Sequence, residues 1–556
     1  MDKPEVCNKK CNSSFINKKN DGQIIFLIVW IVISLLSVIF HEPWRDELQA
    51  WLVARDLSLP EVFSWMKYEG HFILWYLVIK PLCTLNLSPD SLNYLTWFFT
   101  LIAVVLILFK SPFSRVTKIA IIFSAPIIFW FPVVSRCYAL LLPLLFGIAC
   151  IYPSRKSRPV LYGILIALLA NVHVIYEGIV LVLFLMLFLD VKDYKNKREL
   201  RPAVISGGLI LLGVVFAFST VFLCMFKSDS YTSQAVTATF LWDHLLSFAS
   251  QSMLMNHLGR WLMDNAVISA LCMIVMFLAA VYFEKKNKFV FYYSLIAMFL
   301  NIYFFFIDKA NYIPPVTLVV VISLFFLFKK EKLLKLAFII SVGWYFFSIV
   351  AFCCFLPHRA LSFPIFIIFF AWIFYQNMDC SKQVFNHISR CLILFTVFTS
   401  AGTLIVMLYD VKMPYSGIKD CGMFIKENVP EKMSLGTYPF EDKATCLSAY
   451  TGRKIHEYTY GRDLTYFPRD IGQSKPMVFA DLIKSKRINS DVMIFPLYFF
   501  RPGTKRIFLG NDWYVSFYKS GNVMFDESFA IYIRENLLHS VAPVKKSNSP
   551  RENLER

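Results

Sequence analysis

Apolar runs of near-bilayer length recur along this chain from residue 23 to residue 409, and no other feature limits its fold as strongly. A membrane-spanning helix takes about 20 predominantly apolar residues. The runs cover 23–40, 91–109, 119–134, 138–152, 159–172, 174–189, 203–226, 265–283, 289–307, 313–328, 335–356, 360–376 and 391–409, which makes thirteen expected spans. Composition agrees: 57% of the 556 residues are hydrophobic and 17% are charged, against about 45–50% and about 25% in soluble domains. That balance excludes an ordinary soluble enzyme. It also excludes a disordered chain, because Phe, Leu and Ile are abundant.

The net charge of +18 serves to orient the chain and not to propose a nucleic-acid partner, since Lys and Arg collect on the cytoplasmic side of membrane proteins. Lys9, Lys10, Lys18 and Lys19 precede the first run, and no small-residue cleavage site follows it. It reads as a retained anchor with its N-terminus inside. The loops then alternate. Basic residues crowd 110–118, 153–158, 190–202, 284–288 and 329–335, whereas the intervening loops hold few. Thirteen spans from an inside start put the C-terminal part outside. The chain is therefore expected to be a multi-pass integral membrane protein, with a bacterial cytoplasmic membrane as the default location. In an endoplasmic-reticulum membrane the same part would face the lumen.

The chain divides into a cytoplasmic segment 1–22, a transmembrane domain 23–409 with a first outer loop 41–90, an outer domain 410–543, and a polar tail 544–556 expected to be disordered. In the outer domain, β-like stretches (Met433–Tyr438, Asp491–Phe499, Arg506–Leu509, Trp513–Tyr518) alternate with helix-like ones (Gly417–Glu427, Glu441–Tyr450, Phe525–His539). The expected fold class is an all-α polytopic membrane bundle of about thirteen transmembrane helices with a small C-terminal extracytoplasmic α/β domain. Cys421 and Cys446 share the outer domain, either as a disulfide or as two thiols. No Gly-rich nucleotide-binding loop occurs, which argues against an ATP-driven pump and against a nucleotide cofactor.

The first outer loop carries the most chemistry. It opens His41-Glu42-Pro43-Trp44-Arg45-Asp46-Glu47-Leu48. Pro43 suits a helix start, and Trp44, Leu48, Trp51 and Leu52 form one apolar stripe. A helix lying in the membrane interface is expected, with Asp46 and Glu47 at its start. These carboxylates sit where a lipid headgroup would lie, or they simply complement the helix dipole. Further on, Phe72 to Ile79 is too short to span, and a second interfacial or re-entrant helix is expected. Glu69 and His71 stand at its entrance, either as a solvent-facing pair or as groups that bind a divalent metal or orient a hydroxyl. Arg136 and Tyr138, His173 with Tyr176 and Glu177, and Arg359 are the other outer-side polar residues, each an interfacial anchor or part of a common site. As a set they would bind a lipid phosphate and perform acid–base chemistry beside it.

Four features resemble the GT-C superfamily of integral-membrane glycosyltransferases, in particular bacterial members related to protein O-mannosyltransferases and lipid A aminoarabinose transferase. They are the Asp46-Glu47 pair after the first span, the Tyr68–Tyr76 stretch, the Arg136-x-Tyr138 element after the third span, and about thirteen spans followed by an outer domain. The resemblance implies sugar transfer from a polyprenyl-phosphate donor to a lipid, glycan or protein acceptor on the outer side, within membrane lipids and without nucleotide. It implies Asp46 as the catalytic carboxylate with Glu47 its neighbour in the catalytic pair, Glu69 as a possible metal ligand, and Arg136 near the lipid phosphate. Asp46 is the expected general base; Glu47, Glu69, His71 and His173 are candidates for positioning acceptor or metal, and Tyr138 and Arg359 for the phosphate. The chain departs from the family pattern at Phe72-Ile73, where relatives carry Pro-Pro, and it has no carboxylate directly after Arg136. The rival readings are a transporter or flippase of a lipid-linked or small polar solute, and a membrane protein of polymer assembly without catalysis. Transporters gather polar residues at mid-membrane, whereas here they gather at one face.

Overall fold

The computed structural model describes residues 21–66, 71–124, 126–191, 197–225, 332–351, 362–377, 389, 393, 407–408, 410–411, 415–438, 442–468, 481, 488–497, 505–509, 512–519 and 527–541. The expected spans at 265–283, 289–307 and 313–328 lie outside the described residues, as do nearly all of 391–409, the segment 1–20 and the tail 544–556.

Five described helices are long and apolar enough to cross a membrane: Gly22–Phe40, Ser91–Lys110, Cys137–Ser154, Val174–Val191 and Leu200–Thr220. They belong to α1 (Asp21–Phe40), α5 (Ser91–Lys110), α8 (Leu141–Ile151) with its flanking turns, α10 (Glu177–Val191) and α11 (Lys197–Met225). The expected span at 119–134 is broken. α6 (Arg115–Ile122) and α7 (Phe131–Val133), the latter entered through a π-helical turn at Pro126–Trp130, are bent by 53° and would make a sixth crossing. Pro126 supplies no N–H, and Ser124 Oγ turns back to donate to the Ile121 carbonyl at 2.6 Å. The expected span at 159–172 is a 12-residue helix, α9 (Pro159–Ala170). α12 (Lys332–Ala351) and α13 (Ser362–Asn377) complete the described bundle.

Side chains show how the helices meet. On α1, Trp30, Ser34, Ser37 and Val38 are buried at helical spacing, while Ile24, Ile25, Ile28, Val32 and Leu36 are exposed, as a lipid-facing side requires. Trp97 Nε1 of α5 donates to Ser34 Oγ at 2.9 Å. α5 also carries a buried polar stripe, Asn93, Thr96 and Thr100. α9 and α11 touch through small residues: a Cβ on Gly163 would stand 2.9 Å from Ser206 Cα, and one on Gly213 would stand 2.8 Å from Ala167 Cα. Such close backbone approach supplies the van der Waals contact that holds membrane helices together.

The first outer loop holds α2 (Arg45–Asp56), α3 (Leu59–Trp65) and α4 (Leu74–Thr84). The expected interfacial helix exists as α2, but it does not lie on a surface. Every residue from Glu47 to Ala54 is buried. Its polar side is covered by the C-terminal domain. The Gln49 amide donates to the Phe467 carbonyl at 2.8 Å and accepts from the Phe467 N–H at 3.0 Å. Arg55 Nη1 donates to the Ser448 carbonyl at 3.0 Å. At its C-terminal end, Lys80 Nζ of α4 donates to the carbonyls of Ala54 and Leu57, a cation on the negative end of the helix dipole.

The C-terminal domain contains a seven-stranded mixed sheet in the order β3-β2-β1-β4-β7-β6-β5. The strands are β1 (Leu435–Thr437), β2 (Ile455–Glu457), β3 (Arg462–Leu464), β4 (Val492–Pro496), β5 (Arg506–Leu509), β6 (Asp512–Lys519) and β7 (Phe529–Arg534). β1 pairs in parallel with β2 and β4, and the remaining neighbours are antiparallel. Alternation decides the faces. Val492, Ile494, Phe529, Ile531 and Ile533 join the core shared with the bundle, while Met493, Phe495, Ala530 and Tyr532 form a second cluster on the other face. α14 (Ile418–Asn428) buries Ile418, Cys421, Gly422 and Ile425 at i, i+3, i+4 and i+7, and the short α15 (Asp442–Thr445) and α16 (Ser448–Thr451) follow β1.

The stretch expected as a helix at Phe525–His539 contains strand β7 and the 3-10 turn Glu535–Ser540. β7 is central and buried on both faces, so its apolar run shows no period-2 pattern to separate it from a helix. Cys421 and Cys446 are thiols with no disulfide between them, and Cys446 Sγ lies 3.6 Å from the Arg45 carbonyl oxygen.

Gly163→Ala and Gly213→Ala are each expected to destabilise the protein by about 1–3 kcal/mol through overpacking. Gly208→Ala, with nothing within 4 Å of the added Cβ, is expected to leave Tm unchanged. Thermal unfolding in nanodiscs measures this, and equal Tm values for all three would refute the α9–α11 contact.

Candidate functional site

Glu47 and Asp46 are neighbours in sequence and opposites in environment. Glu47 is fully buried. Its Oε2 accepts from the Trp44 N–H at 2.9 Å, which caps the start of α2, and its Oε1 accepts from the Ser135 N–H. Both oxygens are occupied by the chain itself. The Asp46 side chain is 21% exposed and is the carboxylate of the pair that another molecule can reach.

Asp46 lies among cations. Its Oδ1 is 3.1 Å from Arg45 Nε and its Oδ2 is 3.4 Å from Arg136 Nη1. Arg136 Nη1 also donates to the Asp46 carbonyl at 2.8 Å, so the guanidinium grips both backbone and side chain. Its Nη2 lies 2.9 Å from His71 Nε2. A guanidinium only donates, so His71 Nε2 accepts and the ring proton rests on Nδ1. His71 and His173 form an isolated antiparallel bridge, with their rings perpendicular at 5.4 Å. His173 Nδ1 accepts from the Ile175 N–H at 3.2 Å, which places its proton on Nε2. Tyr138 lies 5.5 Å from the His173 ring and 6.5 Å from the His71 ring, and Tyr176 bonds Ser362 Oγ at 2.7 Å.

The structure therefore brings Asp46, Arg136, His71, His173 and Tyr138 into one continuous cluster and turns Glu47 inward beneath it. Glu69 and Arg359 lie outside the described residues. Among the described residues no group of three or more His, Cys, Asp and Glu side chains is arranged for a metal ion, and the Nε2 lone pair of His71 is taken by Arg136.

Sequence reasoning missed the layer below the cluster. His41, the residue after α1, is buried with Nδ1 3.2 Å from Asp410 Oδ2 and Nε2 3.5 Å from Glu47 Oε2. Burial by itself would lower the pKa of this imidazole, but Asp410 and Glu47 outweigh it and raise the value from 6.5 to about 10. Burial pushes the Tyr415 hydroxyl up, and Asp410 and Glu47 push it further. Asn93 Nδ2 donates to the His41 carbonyl at 3.1 Å and accepts through Oδ1 from Ser135 Oγ at 3.0 Å. The Asn93, Thr96, Thr100 stripe is a sequence signal that pointed here, since polar residues at helical spacing in a span face protein and not lipid.

No family model and no curated protein matches the chain. Among solved structures, it is similar to ArnT from Cupriavidus metallidurans, crystallised in the apo state. The match covers 92% of this chain and 97% of that one at 10% identity, with a TM-score of 0.45.

A group whose pKa rises on folding stabilises the folded state below its unfolded pKa and loses that contribution as pH rises through the folded value. For His41 the contribution is complete below pH 6.5 and disappears by about pH 10. The Tm is expected to fall across that window, and to fall less in His41→Gln. Equal slopes for the two proteins would refute a charged His41.

Proposed function

We infer that the protein is a membrane glycosyltransferase that moves a sugar from a polyprenyl-phosphate donor to an acceptor on the outer side of the membrane. The observation that carries this reading is the reachable Asp46 carboxylate at the start of α2, paired with the Arg136 guanidinium beside the membrane ends of α5 and α8. An oxyanion base and a phosphate-binding cation within one contact distance are what replacement of a lipid phosphate at an anomeric carbon requires.

In the reaction, Asp46 takes the proton of the acceptor hydroxyl as its oxygen bonds to the anomeric carbon. The bond from that carbon to the phosphate oxygen breaks, and the electron pair leaves with the phosphate. The transition state has oxocarbenium character, and Arg136 offsets the charge gathering on the departing phosphate. Without donor, Arg45 and Arg136 both hold Asp46. A donor phosphate that draws Arg136 away frees the Asp46 oxygen facing it to accept from the acceptor hydroxyl, so base activation follows donor binding. His71, fixed as an acceptor toward Arg136, steers the guanidinium. Glu47 positions the loop and does not touch substrate.

A surface reaction fits better than a through-path. In the described spans the charged residues stand at the ends, as Lys110, Glu177, Asp190 and Arg201 do, whereas a transporter places such groups at mid-membrane. With the N-terminus inside, the cluster faces outward. Arg155, at the opposite end of the α8 span from Arg136, belongs to an inner loop, where it holds Asp190 through two hydrogen bonds of 2.6 and 3.0 Å.

With labelled polyprenyl-phosphate sugar and an envelope extract as acceptor source, Asp46→Asn is expected to lower kcat by about 10²–10⁴-fold. Arg136→Ala is expected to lower both donor affinity and kcat. Transfer by Asp46→Asn at the wild-type rate would remove Asp46 as the base.

A further inference from the structure

Four segments of the chain meet at one buried imidazole. His41 follows α1 directly and pairs through its two ring nitrogens with Glu47 of α2 and Asp410. Its carbonyl oxygen is held by Asn93 of α5, Asn93 holds the Ser135 hydroxyl, and the Ser135 N–H is held by Glu47. The circuit closes on itself. Glu47 is the chain neighbour of Asp46, and Ser135 is the chain neighbour of Arg136, so the two residues of the candidate site stand on the two ends of the Glu47–Ser135 bond.

We propose that His41, clamped between Glu47 and Asp410, is a positioning residue that sets the separation of the Asp46 carboxylate and the Arg136 guanidinium. The effect on rate rests on the transferase reading, while the effect on geometry does not. A buried carboxylate whose cation is removed turns toward another donor. As Glu47 turns, it ceases to hold the Ser135 N–H, and Arg136 loses its register with Asp46. The cation also serves both ends of the chain, because Asp410 lies 369 residues from His41 at the approach to the C-terminal domain. The groups that face the imidazole are Glu47 from α2, Asp410, and the Tyr415 ring at 5.0 Å, with Glu527 and Asp46 the next carboxylates to act on Tyr415.

The test uses the full chain in nanodiscs with His41→Gln, Asp410→Asn and the two combined. The first readout needs no substrate: the rate at which phenylglyoxal modifies Arg136, followed by peptide mass spectrometry at matched Tm. His41→Gln is expected to speed modification by about tenfold or more, a coupling of the size seen within one buried network. The combined variant is expected to return toward the wild-type rate, because an amide at 41 donates to Glu47 and accepts from the amide at 410. The second readout is transfer from labelled polyprenyl-phosphate sugar. His41→Gln is expected to lower kcat with little change in KM. Asp410→Asn, which leaves His41 one carboxylate, is expected to lose activity at lower pH than the wild type, whose imidazole holds its proton to about 10. Unchanged Arg136 reactivity in His41→Gln, or equal loss in the single and combined variants, overturns the proposal. Altered reactivity in a protein whose wild type transfers no sugar upholds the positioning role and rejects the transferase reading instead.

Discussion

A carboxylate enclosed at the mouth of a membrane bundle receives no water, so the chain has to provide its hydrogen bonds and its counter-charge. Glu47 obtains both from segments far apart in sequence: N–H groups from Trp44 and Ser135, and an imidazole from His41. Each donor is thereby committed to one place. The start of α2, the turn before α8 and the end of α1 are pinned to a common point, and the Asp46–Arg136 pair is carried on top of it. The cost of leaving such a charge unmatched is several kcal/mol, which is large against the net stability of a fold.

The C-terminal domain takes part in the same enclosure. By covering the polar side of α2 through Gln49–Phe467 and Arg55–Ser448, it turns a helix with one apolar stripe into a buried element. The domain thus belongs to the framework that holds the loop, and Asp410 extends that framework to the cluster beneath the site. Lys80 closes the far end of α2 from the opposite side.

Much of this was legible from residues alone. The four expected β stretches coincide with strands β1, β4, β5 and β6 to within a few residues, and α14 appears where i, i+3, i+4 spacing places it. Elsewhere local pattern and long-range context part company. β7 reads as a helix because both of its faces are buried, and β2 and β3, at three residues each, are too short to show any period. The broken crossing at 119–134 follows from Pro126, whose effect hydropathy does not register. At the candidate site, Asp46, Arg136, His71, His173 and Tyr138 were singled out by their place on one face and do cluster. That Glu47 is buried and Asp46 reachable was not legible in the sequence, because it depends on which way the first turn of α2 points each carboxylate.

The sequence by itself determined that this is a chain of membrane-crossing length and apolarity with a mixed C-terminal domain, and it marked the loop where polar groups collect. These are local, additive properties: each apolar side chain contributes its transfer free energy wherever it stands in the run. Only the tertiary structure decided which carboxylate is reachable and which is locked in. It also decided that His41 stands between Glu47 and Asp410, whose charges raise its pKa. Those outcomes depend on desolvation and on charges within a few ångströms, and the groups responsible come together only when segments hundreds of residues apart are folded against one another.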